Sequence, residues 1–290
     1  MSTRHDRGVR FFGIEGQRKL RNTMATIVGV GGVGGHVAQQ LALAGLGSIG
    51  IIDAEELDDT NRNRYVTARV SDKVPGMPKV DIAERLIKEI DPSIEICKVQ
   101  DSLVSDSGFQ AVLRSDYVFG CVDSEGARLV LTELCAAYRL PYFDIASDIE
   151  VGDIFRYGGR VCFASRGECC LVCLGQLDMG EAQQELGGPE ARKLREAIYG
   201  VERNYLGRAG PSVVSINGVV ASLAVTEFMV GVTGIREPQR LIIYRGNMGR
   251  VLASDDVPKP DCFYCKGLWG QGDRADTRRY IRAGVGAFLR

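Results

Sequence analysis

Short apolar runs alternate with amphipathic segments through the first half of the chain. The segment 79–90, for example, carries apolar residues at helical spacing, and Asp91-Pro92 ends it. Strands separated by crossover helices are typical of a parallel, doubly wound sheet. The pattern therefore predicts an α/β fold with a mainly parallel, Rossmann-like sheet. The predicted strands are 24–30, 48–53, 94–99, 116–121 and 141–147, and the predicted helices are 35–46, 79–90 and 127–138.

The pattern changes after residue 147. Two segments, 150–157 and 159–164, flank Gly158 and predict an antiparallel hairpin added at the edge of the sheet. Residues 174–211 are polar and contain glycines, which predicts a long connection with one short helix near 189–198. Late strands are predicted at 239–244 and 250–253.

The most apolar stretch, 213–232, is nearly long enough to span a bilayer. Asn217, Glu227 and several Ser and Thr residues interrupt it, which is unfavourable in a membrane helix. We therefore expect a buried helix that packs against the sheet or against a second subunit, and no membrane association.

Composition narrows the function further. The 290 residues include 36 Lys and Arg against 37 Asp and Glu, and 45% are hydrophobic, so the chain can bury a sizeable core. Balanced charge argues against a general nucleic-acid binder. The presence of only two histidines, His5 and His36, argues against a histidine-based nucleophilic triad or an all-His metal site. The first 23 residues are polar and arginine-rich with no apolar leader, so we expect a cytoplasmic protein.

Nine cysteines in such a chain should be reduced thiols or metal ligands. Four of them form two C-x-x-C pairs, Cys170/Cys173 and Cys262/Cys265. Each pair can direct two thiolates at one ion, so two pairs predict a structural zinc site with four cysteine ligands. The 88 residues 174–261 separate the pairs, which is longer than a compact zinc ribbon, and redox use or coincidence stay open on spacing alone.

The glycine-rich sequence Gly29-Val-Gly31-Gly32-Val-Gly34 follows a predicted strand and opens a predicted helix. Asp53 stands 24 residues after Gly29, where the next strand ends. A glycine turn lets phosphates approach the free N–H groups of the helix, and the acid can accept ribose hydroxyls. This arrangement predicts a nucleotide site, although NAD, FAD and ATP can all use it.

Basic residues near this turn favour ATP over a dinucleotide. Arg62 and Arg64 lie just beyond the ribose acid, and Lys79 opens the next helix. A triphosphate and a departing pyrophosphate need more positive charge than one helix terminus supplies. Asp123 follows a strand's carboxyl end and could hold Mg²⁺. The alternative for Arg62 and Arg64 is a solvated basic turn, and Lys79 could be an exposed helix-start residue.

The order of these motifs resembles the ThiF/MoeB/HesA family, the bacterial relatives of ubiquitin-activating enzymes. The resemblance covers about residues 4 to 265 and is specific because many motifs occur together. They are Arg4-x-x-Arg7, the segment Phe11-Phe12-Gly13-Ile14-Glu15-Gly16-Gln17, the glycine turn, Asp53, Asn61-x-x-Arg64, Gly76-x-Pro78-Lys79 and Val122-Asp123.

The resemblance implies adenylyl transfer to the C-terminal glycine of a ubiquitin-like or sulfur-carrier protein ending in Gly-Gly. It implies one ThiF-type domain over 1–290, with ATP, Mg²⁺ and structural Zn²⁺. Its parts would be an arm (1–23), a nucleotide-binding core (24–165), a zinc knuckle with crossover loop (166–211), a C-terminal helix with strands and the second knuckle (212–265), and a tail (266–290).

Residue roles also follow from the resemblance. Arg7 matches a family arginine that is reached across a homodimer interface, so the active enzyme would be a dimer. Arg7, Arg64, Lys79 and Asp123 would be catalytic. The nucleotide would be bound by Gly29, Gly31, Gly32, Asp53, Asn61, Arg64, Lys79, Asp123 and Ser124, and zinc by Cys170, Cys173, Cys262 and Cys265.

One departure from the family pattern concerns the thioester. Members that form one carry a cysteine in the crossover loop, whereas residues 174–261 contain none, and Cys169 lies inside the presumed knuckle. Adenylation without a thioester on this chain is therefore expected. The alternatives are a family member that activates a small molecule, a peptide or a tRNA base, an NAD-linked dehydrogenase, and a non-catalytic partner subunit.

Overall fold

A computed structural model describes residues 4–152, 155–188 and 211–289. Eight strands of this described part form one sheet in the order β3-β2-β1-β4-β5-β6-β7-β8. Strands β1 to β5 are parallel, and β6 to β8 continue the sheet antiparallel. The predicted mainly parallel sheet with added antiparallel strands is thus confirmed. The strands are Met24–Val28 (β1), Ser48–Ile52 (β2), Glu95–Val99 (β3), Tyr117–Gly120 (β4), Tyr142–Glu150 (β5), Arg156–Ala164 (β6), Leu241–Arg245 (β7) and Arg250–Ala253 (β8).

Helices cover both faces of the sheet, and each face has its own apolar core. In the described residues the α-helices are Asp6–Arg21 (α1), Gly32–Ala44 (α2), Lys79–Ile90 (α3), Asp106–Leu113 (α4), Glu125–Ala137 (α5), Met179–Leu186 (α6), Val214–Thr233 (α7) and the single turn Arg279–Arg282 (α8). On the first face, α1, α2, α3 and α7 pack together over the central strands. On the second face, α4 and α5 pack with the two cysteine pairs and with buried residues of the segment 280–289.

Helix α7 packs in the first core, against α1, α2 and strands β5 and β6. By length and composition alone it could cross a membrane, with a mean hydropathy of 1.5, but core helices of soluble proteins pass the same test. Its acidic residue is satisfied inside the protein, since the Glu227 carboxylate accepts hydrogen bonds from Arg236 at 2.6 and 2.7 Å. The packing agrees with the predicted core helix.

The predicted position of the hairpin is wrong. Strand β5 continues to Glu150, and the chain reverses before Arg156 rather than at Gly158. Gly158 pairs with Asp148 inside the ladder. A side chain there would come within 1.9 Å of the Tyr244 carbonyl oxygen, so this glycine permits a close strand approach instead of a turn.

Four helices of the described residues are not predicted by the sequence pattern, and the reason is the same for two of them. Helices α1 and α6 are mostly polar, and their apolar stripe is narrow. Their buried residues are Gly16 and Leu20 in α1 and Ala182 in α6. The other two are short, because helix α4 has only eight residues and α8 only four. The helix expected near 189–198 lies outside the described residues.

The segment 266–289, which is identified from the sequence only as a tail, packs into the second core. Thr277, Tyr280, Val285 and Leu289 are buried. Arg279 donates a hydrogen bond to the buried carboxylate of Glu133 on α5 at 2.5 Å, which fastens the segment to the second core. The sequence of the segment 266–289 does not reveal this packing, because the segment is polar and arginine-rich and its few apolar residues are widely spaced. The division of the chain into functional parts stays a prediction.

Candidate functional site

A cavity of about 460 Å³ lies at the carboxyl edge of the parallel strands, where ligands bind in open α/β sheets. It reaches from the turn after β1 to residues that follow β2, β3, β4 and the outer part of β5. Eight of the residues expected to bind nucleotide line it together, namely Gly29, Gly31, Gly32, Asp53, Asn61, Arg64, Lys79 and Asp123. Of the other residues expected at the site, Arg7 and Ser124 do not line it.

The glycines of the turn serve different purposes. Gly29 has φ of +84°, and a side chain there would come within 2.8 Å of the Cys121 carbonyl oxygen. Gly34 packs against the Gly29 carbonyl, which would lie 1.9 Å from a side-chain carbon. At Gly31, by contrast, the nearest atom is Lys79 Nζ at 4.0 Å. Gly31 caps α2 and leaves open space at the helix N-terminus, which suits an anionic group.

Asp53 lies directly after β2 and is held by two backbone donors. Its Oδ2 accepts a hydrogen bond from Val30 N and its Oδ1 one from Glu55 N, both at 2.8 Å. Burial raises the pKa of the Asp53 carboxyl, although the charge of Lys79 and the two N–H donors act in the opposite sense. The carboxylate is thereby fixed in the cavity wall beside the glycine turn.

The basic residues near the turn have separate environments. The ammonium of Lys79, a buried residue, pairs with the half-exposed carboxylate of Glu55. Arg64 donates to the Thr60 carbonyl oxygen at 2.7 Å and lines the cavity. Arg62 instead donates to the carbonyl oxygens of 69, 70 and 72, so it braces the following loop and does not line the cavity. Two cations therefore face the cavity from this region.

The acidic end of the site lies after β4. Asp123 is exposed and lines the cavity. Ser124 is the N-cap of α5, because its Oγ accepts from Ala127 N at 3.2 Å and donates to Glu185 Oε2 at 2.6 Å. The hydroxyl of Ser124 is thus occupied by helix capping, and its expected contact with nucleotide stays a prediction.

A buried ion network beside the cavity was missed by sequence reasoning. Asp144 on β5 is fully buried and pairs with Arg128 of α5 at 2.8 Å and with Arg160 of β6. Tyr142 donates its hydroxyl to Asp144 Oδ1 at 2.9 Å. Burial by itself raises the pKa of the Asp144 carboxyl, but the two guanidinium groups outweigh burial and hold this pKa below its ordinary value. The sequence signal that could have revealed this network is an aspartate inside an apolar segment predicted as a strand.

Asn217 is a second residue of the site that sequence reasoning did not assign to it, because the sequence shows it only as a polar interruption of the apolar stretch. It is buried near the start of α7, where its Oδ1 accepts from Ser147 Oγ at 2.8 Å and its Nδ2 donates to Ser212 Oγ at 3.1 Å. A side chain at Gly32 would come within 2.6 Å of Asn217 Nδ2. Asn217 lines the cavity, and a side chain at position 32 would require its amide to shift.

The two cysteine pairs meet as the spacing predicted. The four Sγ atoms of Cys170, Cys173, Cys262 and Cys265 lie within 4.8 Å of one another, and all four residues are buried. The distance is 3.7 Å from Cys170 Sγ to Cys262 Sγ and 3.8 Å from Cys173 Sγ to Cys265 Sγ. Sulfurs about 2.3 Å from a tetrahedral zinc are about 3.8 Å apart. The cluster therefore fits structural zinc, and Cys169 is outside it.

Arg7 lies far from the cavity of its own chain. The ring of His5 packs against Gly45 at the C-terminal end of α2, and Arg4 contacts Ile90 and Asp91 at the end of α3. The cavity lies at the opposite, N-terminal ends of both helices. A 13-residue helix is about 20 Å long. Arg7 can therefore serve a nucleotide site only if that site belongs to another subunit.

The comparison with known families decides the assignment. The ThiF family pattern matches residues 4–262. This chain belongs to the ThiF family. Protein HesA of Leptolyngbya boryana is 28% identical over 284 residues, which cover 96% of this chain and 88% of HesA. The adenylyltransferase and sulfurtransferase MOCS3 of Drosophila yakuba is 32% identical over 154 residues, 52% of this chain but only 34% of MOCS3. The match therefore spans about a third of that relative.

The ThiF fold is also seen in solved structures. E. coli MccB in its ATP complex aligns with a TM-score of 0.69 and 20% identity over 91% of this chain and 74% of MccB. PaaA aligns with a TM-score of 0.64 and 16% identity over 88% of this chain and 73% of PaaA. These likenesses concern the fold alone, and they agree with the mixed sheet described above.

Proposed function

We propose that this ThiF-family chain is an ATP-dependent adenylyltransferase that activates the C-terminal glycine carboxylate of a ubiquitin-like or sulfur-carrier protein. The observation that carries the proposal is the meeting of Arg64, Lys79 and the open turn at Gly31 with Asp53 and Asp123 in one cavity. Two cations and a helix N-terminus suit a triphosphate better than a single pyrophosphate. The MOCS3 relatives, whose name includes adenylyltransferase, support the same chemistry.

Each residue has a proposed task. Asp53 accepts the ribose hydroxyls, and the turn at Gly31 admits the phosphates. Lys79 exchanges its pairing with Glu55 for a phosphate oxygen, and Arg64 and Asn61 hold the rest of the triphosphate. Asp123 holds Mg²⁺, which would neutralise charge on the phosphates when bound. The substrate carboxylate attacks the α-phosphorus, and the bond to the pyrophosphate oxygen breaks.

The proposed activity ends at the acyl-adenylate. Residues 174–261 contain no cysteine that could accept the acyl group. The thiol of Cys169 is a poor nucleophile, because it is buried, donates to the Phe163 carbonyl oxygen at 3.1 Å, and burial raises its pKa to about 12. We propose that another protein supplies the accepting thiol, and that the enzyme works as a cytoplasmic homodimer.

ATP–pyrophosphate exchange tests this function directly. Zinc-replete protein should exchange label only with a partner that ends in Gly-Gly, and Asp123→Ala should lower the rate by at least about a hundredfold. The exposed Asp255→Ala variant, away from the cavity, is the matched control and should keep the full rate.

The other outcomes point to the alternatives. Exchange that needs a peptide, a small molecule or a tRNA instead of a Gly-Gly partner would move the substrate to that class. Binding of NAD in place of ATP, measured by calorimetry, would contradict the adenylyltransferase and favour an oxidoreductase.

A further inference from the structure

The segment 266–289 contributes a residue to the cavity, although it follows both cysteine pairs in the chain. Leu289 lines the cavity together with Leu103, from the loop after β3, and Ala127, from the start of α5. All three side chains are at least 93% buried and belong to the core on the second face of the sheet. This part of the cavity wall is apolar.

The rest of the cavity has a different character. Gly31 is the N-cap of α2, and Lys79 and Asn217 belong to α3 and α7; all three helices lie on the first face. The glycine turn, Lys79 and Asn217 thus come from the first face of the sheet. Leu103, Ala127 and Leu289 come from the second face, where the cation Arg128 of α5 also lines the cavity.

Asp53 lies at the end of β2, where its carboxylate accepts from Val30 N of the glycine turn on one side and its backbone N–H donates to the Val99 carbonyl oxygen of β3 on the other. A nucleotide with its ribose at Asp53 and its phosphates at the glycine turn would therefore direct its base toward the loop after β3.

The backbone holds Leu289 firmly in this wall. Ser102 donates its hydroxyl to the Leu289 carbonyl oxygen at 3.0 Å in a buried hydrogen bond, and the same Oγ accepts from Val104 N at 3.1 Å. Gly286 approaches the Val104 carbonyl so closely that a side-chain carbon would lie 2.2 Å from it. The Leu289 side chain itself rests on Gly126, where a side-chain carbon would be 2.9 Å from Cδ1.

We propose that Leu289, together with the neighbouring Leu103 and Ala127, forms an apolar wall of the base-binding part of the nucleotide site. A purine is flat and apolar on both faces, and a slot of buried aliphatic side chains is the surface that binds such a ring. The proposal rests on the proposed nucleotide function of the cavity. It makes the segment 266–289 part of the ligand site rather than a structural appendage.

Calorimetric binding of three probes tests this assignment without turnover. Leu289→Ala should weaken ATP and adenosine by a similar factor, about tenfold or more, because both place the base in the slot. Tripolyphosphate, which has no base, should bind within about twofold of the wild-type affinity. An unfolded variant would lose tripolyphosphate as well, so this probe also reports folding. Leu289→Val, a smaller deletion, should give a smaller loss along the same series.

The matched control is Leu134→Ala. This variant removes side-chain volume from the same core, at a fully buried leucine that does not line the cavity. It should lower stability but leave the ATP affinity unchanged. Equal ATP affinity in the wild type and in both Leu289 variants would overturn the assignment while the proposed function stands. Equal weakening of ATP and tripolyphosphate would also overturn it. A wild-type protein that binds no adenine nucleotide would overturn the proposed function and this assignment together.

Discussion

At the scale of single residues, the buried charge of Asp144 organises the wall of the cavity. It joins β5, α5 and β6 by pairing with Arg128 and Arg160, and Arg128 also donates to the Val122 carbonyl oxygen at 2.7 Å, next to Asp123. A buried ion pair is a weak source of net stability, but removal of one partner leaves an uncompensated charge. We infer that Asp144 positions the segment that carries Asp123.

Replacement of Asp144 by Asn should lower the free energy of unfolding by about 3–5 kcal/mol at neutral pH, because two guanidinium groups lose their shared counter-charge. Urea unfolding measures this. The exposed Asp148→Asn variant on the same strand should change it by less than about 0.5 kcal/mol. A similar loss in both variants would contradict the special role of Asp144.

A comparison of the wild type with Asp144→Asn also gives a pH test. The folded-state pKa of Asp144 lies below the ordinary value, so its contribution to stability is complete above that ordinary value and is lost as the pH falls through the folded pKa. The wild type should therefore lose stability on acidification below about pH 4 more steeply than Asp144→Asn. Parallel curves for the two proteins would show that Asp144 does not titrate in this way.

At the scale of elements, the cysteine cluster joins two distant parts of the chain. Cys170 and Cys173 follow β6, whereas Cys262 and Cys265 follow β8 and precede the segment that carries Leu289. The second pair lies against α5, whose N-terminus adjoins Asp123. The cysteine cluster is thus the attachment point from which the segment 266–289 reaches the cavity.

Loss of this metal should destabilise the protein. Wild-type protein should contain about one zinc ion per chain by elemental analysis, and Cys170→Ser should lose it and lower the midpoint of thermal unfolding by about 10 °C. Cys169→Ser is the neighbouring control and should retain the zinc, since Cys169 is outside the cluster. Full zinc content in Cys170→Ser would contradict the four-cysteine site.

At the scale of the whole molecule, Arg7 and the cavity of the same chain lie at opposite ends of α2. Helix α1 is held at the C-terminal ends of α2 and α3, where Gln17 donates to the Ala44 carbonyl oxygen at 3.0 Å. Arg7 is exposed there. An arginine that serves catalysis from this position must belong to a neighbouring subunit, which agrees with the dimer that we propose.

Complementation tests the shared site. Arg7→Ala and Asp123→Ala should each be inactive in exchange, whereas co-expression should restore about a quarter of the wild-type rate, because about half of the dimers are mixed and each mixed dimer has one intact site. Co-expressed Arg64→Ala and Asp123→Ala should stay inactive, since both act in the same subunit and every site lacks one of them. Absence of recovery in the first pair would exclude a contribution of Arg7 across the interface.

The sequence by itself determined the features that depend on near neighbours along the chain. The alternation of strands and helices predicted the parallel sheet because backbone periodicity and apolar spacing act over a few residues. The turn at Gly29 and Gly31, Asp53 at a strand end and the C-x-x-C pairs could be read for the same reason. Gly158 shows the limit of local pattern, since this glycine permits a close contact with β7 and does not form the predicted turn.

Only the tertiary structure decided which distant residues meet. Asp144 finds Arg128 and Arg160, Asn217 meets the glycine turn from α7, and Leu289 reaches the cavity after the second cysteine pair. It also placed Arg7 at the wrong end of α2 for its own site. Such encounters depend on how whole elements pack across the sheet. Burial gives them their energetic weight, because a charge or an aliphatic side chain has its large effect only once water is removed around it.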